Sequence, residues 1–168
     1  MIIRDEQPAD VGPIHSLTER AFRTAAHTSH TEQFIVAALR REGALSASLV
    51  AEEAGVLQGH VALSPVILSD GTRGWFGLGP LSVLPEWQRR GIGSALMEAA
   101  LQRLRERGAA GCVLLGDPGY YARFGFRPAP GLVLPDVPPE YFQALVLRGA
   151  APIATVRYHA AFEERGGG

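Results

Sequence analysis

A strand that stops in a glycine loop and runs straight into a long helix constrains this chain more than any other feature. Leu81-Ser82-Val83-Leu84-Pro85 reads as a strand end, Glu86 to Arg90 as a loop, and Gly91-Ile92-Gly93-Ser94 as the start of a helix. From Gly91 to Arg107, Ile92, Leu96, Met97, Ala100, Leu101 and Leu104 fill one side and Glu98, Gln102, Arg105 and Glu106 the other. That is a helix buried on one side. Glycines let backbone approach a ligand closely, and a helix start presents unpaired N–H groups at a positive dipole end. With Arg89 and Arg90 beside them, they form a seat for phosphate. The same glycines would equally serve a tight turn that only packs helix against strand.

Composition narrows the choice of phosphate ligand. All 16 basic residues are Arg, and the chain has neither Lys nor Asn. A P-loop, a Schiff-base lysine and a pyridoxal-phosphate lysine are therefore excluded. The dinucleotide fingerprint G-x-G-x-x-G also fails, because Leu96 stands at the third glycine position and the motif lies mid-chain after a hairpin. A chain of 168 residues, 46% apolar and 20% charged, is long enough to bury the core of one soluble domain. A net charge of −1 gives no general attraction to nucleic acid or to an anionic membrane. No apolar run reaches membrane-spanning length, the first residues lack a signal-peptide core, and the single Cys112 forms no internal disulfide. A cytoplasmic protein is expected. No His, Cys or carboxylate set has metal-ligand spacing, so no metal is expected.

Around this segment the elements alternate. Ile2-Ile3 begins a strand, and Pro8-Ala9-Asp10 opens an amphipathic helix through Phe22. A second helix is expected from near Ser29 to Gly43, where Ser29-His30-Thr31-Glu32 fits the S-x-x-E capping box. Ser48 to Glu53 and Val56 to Leu68, joined by Ala54-Gly55, read as a hairpin, and Arg73 to Val83 as the next strand. Cys112 to Leu115 is an apolar interior strand, and Asp117-Pro118 sets an N-cap and first-turn proline for a short helix through Arg123. Pro128 to Pro139 is a structured loop, Tyr141 to Leu147 and Ala154 to Tyr158 are last strands, and residues 166–168 are expected to be disordered. The result is one α/β (α+β) domain over residues 1–165, with a central mixed, mostly antiparallel sheet flanked by helices.

Two motifs in this frame resemble the GNAT superfamily of acetyl-CoA-dependent N-acetyltransferases. Gln88-Arg89-Arg90-Gly91-Ile92-Gly93 is similar to the family's [QR]-x-x-G-x-[GA] between its fourth strand and the following helix. Tyr121-Ala122-Arg123-Phe124-Gly125-Phe126 is similar to its Y-x-x-x-G-F after the fifth strand. Gly116-Asp117-Pro118 before Tyr120-Tyr121, with the ending Val156 to His159, looks most like the YhbS-like branch.

The resemblance implies acetyl-CoA as co-substrate. Its pantetheine arm would pair with the backbone of Leu81, Ser82 and Val83, and its pyrophosphate would lie on amides from Arg89 through Arg90, Gly91, Ile92 and Gly93 to Ser94. Tyr121 would be the general acid for the departing thiolate. A thiol has a pKa of about 8.5 and tyrosine about 10, so a phenol can donate as charge develops on sulfur. The acceptor would be an amine of a small molecule or protein, with His27 and Glu32, between the first two helices, as substrate residues. The capping box offers Glu32 a purely structural role. Relatives of this kind also imply a homodimer. An alkyl ammonium near pKa 10.4 loses about 4–5 kcal/mol in becoming neutral at pH 7, and many relatives supply a carboxylate on the fourth strand to help. Here neither Gly74 to Pro80 nor Leu81 to Pro85 contains one. Two functions follow: a direct N-acetyltransferase, or a catalytically silent acyl-CoA-binding module. The missing carboxylate favours the second, and the retained Tyr121 favours the first.

Overall fold

The computed structural model describes residues 1–25 and 28–166. His27 and the terminal Gly167-Gly168 lie outside them. Among the described residues the chain runs β1 (Ile2–Asp5), α1 (Val11–Phe22), α2 (Glu32–Arg41), β2 (Ala47–Glu53), β3 (Val56–Leu68) and β4 (Trp75–Val83). It continues through α3 (Ile92–Glu106), β5 (Gly111–Leu115), α4 (Pro118–Tyr121), β6 (Leu132–Val133), β7 (Phe142–Val146) and β8 (Ala154–Tyr158). The sheet order is β1-β2-β3-β4-β5-β7, antiparallel except where β4 meets β5. β8 pairs with the far end of β3 and carries β6 beyond it.

Alternation along the strands decides which helix covers which face. Leu49, Ala51, Val61 and Leu63 point to α3, whose Leu96, Met97, Ala100, Leu101 and Leu104 are all buried against them. Val50 points the other way, into a small core with Ile14 of α1 and Val36 of α2. Burying each large apolar side chain of α3 contributes about 1.5–3 kcal/mol, so this interface is the main fastening of the domain. The hairpin between β2 and β3 turns on Ala54 and Gly55, both left-handed at φ 52° and 79°, as a two-residue type I′ turn requires.

Three local expectations shift: Pro128 to Pro139, expected as a loop, contains the two-residue strand β6 paired with β8. α1 is preceded by a 3-10 turn at Pro8–Asp10. α2 starts at Glu32 rather than Ser29, because the Ser29 hydroxyl engages the Thr31 hydroxyl at 2.5 Å instead of reaching a helix amide. Half of the capping box survives: Glu32 Oε2 accepts from Ser29 N at 3.2 Å.

The site is prepared by the parting of β4 and β5. They pair only over Trp75, Phe76 and Gly77, opposite Gly111, Cys112 and Val113. Beyond that point Leu114 and Leu115 follow β7, while β4 follows β3 and bulges, so that Leu78 and Leu81 face Leu63 and Val61. Gly79 and Pro80 together stand opposite Ala62, so β4 takes up one extra residue there. The two strands open like a V.

Candidate active site

Register shows what the open edge of β4 offers. Leu84 N donates to Gln58 O at 2.9 Å, so in an antiparallel ladder Ser82, two residues back, hydrogen-bonds to its partner His60. The backbone groups of Leu81 and Val83 therefore face away from β3, into the V. Val83 O takes one hydrogen bond there, from Gln88 Nε2 at 3.2 Å.

The other wall is the start of α3. Its N-cap Gly91 has φ 83°, a conformation that strains any other residue, and no side chain caps the helix. The amides of Ile92, Gly93 and Ser94 have no intrahelical acceptor. Arg89, with φ 65°, turns the loop beneath them. Successive amides thus converge on one concavity, an anion-binding arrangement reinforced by the helix dipole.

Leu81, Val83, Arg89, Gly91, Gly93, Ser94 and Tyr121 line one groove of about 580 Å³. Three other sequence candidates are not among its lining residues. The Ser82 side chain is buried on the opposite face, Ile92 is buried in the core, and the Arg90 guanidinium lies over the Trp87 ring at 4.9 Å. Trp87, Gln88, Tyr120 and Arg123 complete the lining. Gln88 and Arg123 stood within the two motifs, whereas Tyr120 reads from the sequence as a packing residue.

That helix is fixed as its sequence suggests: Asp117 Oδ1 accepts from Gly119 N at 2.8 Å, and Gly125 closes the turn at φ 94°. The Tyr121 ring lies on Gly116, where any Cβ would overlap it, and packs edge-on to Tyr120 at 4.8 Å. Burial, then the neighbouring Tyr120 and Asp117, push its hydroxyl up to about pKa 12. Tyr121 is a neutral phenol at physiological pH.

Glu32 lies apart from this groove. Its Oε2 also accepts from Thr28 Oγ1 at 2.6 Å, tying the approach to α2. A second depression, of about 330 Å³, is lined by Glu19, Phe22, Arg23, His30 and Gln33.

His60 heads a closed polar chain on the face covered by α1 and α2. Its Nε2 lies 2.8 Å from Ser48 Oγ, which hydrogen-bonds Glu6. Arg40 grips Glu6 with two contacts of 2.8 Å. Burial alone would raise the Glu6 carboxyl, but the hydrogen bonds from Arg40 and Ser48 outweigh it and hold it low. An ionised Glu6 can only accept, so Ser48 donates to it and His60 must donate from Nε2. Nδ1 then carries the lone pair. Burial pushes His60 down to about pKa 4, helped by Arg40 and opposed by Glu6. Cys112 is fully buried, and burial pushes its thiol up. Among the described residues no group of three or more His, Cys, Asp or Glu could hold a metal ion, and no helix is long and apolar enough to cross a membrane.

A free strand edge running into an uncapped helix start defines a class: proteins that hold a long ligand, extended at one end and anionic at the other. Residues 12–126 match the Acetyltransferase (GNAT) family model, and the chain belongs to that family. It is 38% identical over 128 residues to the N-acetyltransferase YhbS of Escherichia coli strain K12, covering 76% of this chain and 74% of that one. A GNAT family acetyltransferase from Brucella melitensis, solved with acetyl-CoA, shares 49% identity and superposes with TM-score 0.86 over 96% of this chain and 97% of its own. Escherichia coli YhbS, solved with CoA, is similar at 34% identity and TM-score 0.86, over 98% and 93%.

Proposed function

We propose that this protein is an acetyl-CoA-dependent N-acetyltransferase in which Tyr121 protonates the departing CoA thiolate. One observation carries the reading: a single groove joins the open β4 edge, the uncapped start of α3 and a half-buried neutral phenol. Acetyl-CoA bound to the Brucella relative, and CoA bound to YhbS, support the same ligand here.

The pantetheine arm extends along the backbone of Leu81 and Val83, and the pyrophosphate lies on the amides from Arg89 to Ser94. A neutral amine attacks the thioester carbonyl, forming the C–N bond, and the C–S bond breaks as Tyr121 gives its proton to sulfur. A phenol near pKa 12 suits the task because the same burial that raises it also raises the thiol it must protonate. β4 carries no carboxylate, and His60 is a poor proton sink at about pKa 4. The amine therefore loses its proton to water. The acceptor is an amine of a small molecule or protein, and the enzyme works as a soluble cytoplasmic homodimer.

The second reading, a silent acyl-CoA-binding module, is favoured by that missing carboxylate. Thiol release from acetyl-CoA across a panel of amines and protein extracts separates the two. Release dependent on an amine supports the enzyme, and acetyl-CoA binding without release on any acceptor supports the silent module. Absence of a melting shift with acetyl-CoA would overturn both.

A further inference from the structure

The geometry points to the Tyr120 hydroxyl as a ligand of the cofactor pyrophosphate, so that adjacent tyrosines divide the cofactor: Tyr120 at its phosphates, Tyr121 at its sulfur. This rests on the acyl-CoA reading above and adds to it a side-chain donor that no motif specified.

Gly93 locates the hydroxyl. A Cβ built on Gly93 would lie 3.1 Å from Tyr120 Oη, with Val83 Cγ2 the next neighbour at 3.8 Å. The phenol oxygen therefore hangs over the first turn of α3, beside amides that have no intrahelical acceptor. A side chain at Gly93 would push it away. The hydroxyl makes no hydrogen bond within the described residues. A tyrosine used only for packing would bury its ring and satisfy its oxygen, whereas this one is half-buried, lines the groove and holds an unused donor.

Its aim is fixed from three directions. The ring meets Tyr121 edge-on at 4.8 Å and 88°, and Phe124 at 5.6 Å. The Arg123 guanidinium sits 4.7 Å from the ring centroid. A cation over the ring draws electron density from it, making the phenol a better donor. Tyrosine has only two side-chain torsions to immobilise, so a donor held this way loses little entropy on binding. A hydrogen bond from a neutral donor to a charged acceptor is stronger than one between neutral groups. Without lysine, this chain has no ammonium side chain to offer an anion, which leaves more of the contact to arginines, amides and hydroxyls.

Calorimetric titration of wild type and Tyr120→Phe with CoA and with 3′-phosphoadenosine 5′-diphosphate tests the assignment. The second probe keeps the pyrophosphate and lacks the pantetheine arm. Tyr120→Phe is expected to bind both about tenfold more weakly. Tyr121→Phe should differ, with affinity kept and turnover lost. Equal affinity in wild type and Tyr120→Phe would overturn the proposal, as would a loss confined to CoA, which would place the hydroxyl on the arm instead. Wild type that binds neither probe would overturn the acyl-CoA reading itself. Melting temperatures of the two variants within a few degrees of wild type confirm that each result is read on folded protein.

Discussion

Two polar regions lie on opposite faces of the same sheet, and they differ in what their hydrogen bonds face. Beneath α1 and α2, Arg40, Glu6, Ser48 and His60 bond to one another in a chain that ends at a fully buried imidazole. Beside α3, the amides of Ile92 to Ser94, the Leu81 edge and two tyrosine hydroxyls face an open groove. Both regions contain the residue types that catalysis uses. The closed chain pairs its charges internally and so stabilises, while the groove keeps donors that no side chain caps. A histidine joined to a serine and a carboxylate invites a catalytic reading. Here Ser48 donates to Glu6 rather than to His60, which is the reverse of what an activated serine requires.

The contrast breaks most visibly at Tyr121. Replacement by Phe is expected to lower kcat about a hundredfold or more and to leave acetyl-CoA affinity within about twofold. Steady-state kinetics beside calorimetry reads both, and unchanged turnover would remove Tyr121 from the chemistry. The closed region should respond in stability instead. His60 is depressed to about pKa 4 in the fold, from about 6.5 when unfolded, so the unfolded chain binds more protons between those values. Its contribution is full above pH 6.5 and is lost as pH falls toward 4, amounting to about 2 kcal/mol between pH 8 and pH 5. Urea midpoints at the two pH values measure this, and His60→Gln should flatten the difference. The smallest effect is a null one. With Tyr121 near pKa 12, kcat should show no alkaline decline up to about pH 10. A fall with an apparent pKa near 9 would mean that the acid is another group.

Local signals made much of this legible. The period change after Pro85, the glycines at 91 and 93 and the Asp117-Pro118 cap each report on a few neighbouring residues, and each element appears where they indicate. The Ser29 cap failed because three hydroxyl residues and Glu32 had several equivalent ways to bond. The parting of β4 from β5 was not readable, because it depends on β5 preferring β7 and on β3 reaching past β4 to β8. The Tyr120 hydroxyl was equally hidden: Tyr120-Tyr121 in sequence does not say which ring turns toward Gly93. The closed chain joins residues from β2 and β3 to the segment before α1 and to α2, and no periodicity reports such a meeting.

Hydrogen exchange with and without acetyl-CoA compares the two regions in one experiment. Binding should slow exchange at the amides of Leu81, Val83, Ile92, Gly93 and Ser94, and leave Ser48 and His60 as they were. Protection around Ser48 and His60, or none along β4 and the start of α3, would contradict the account.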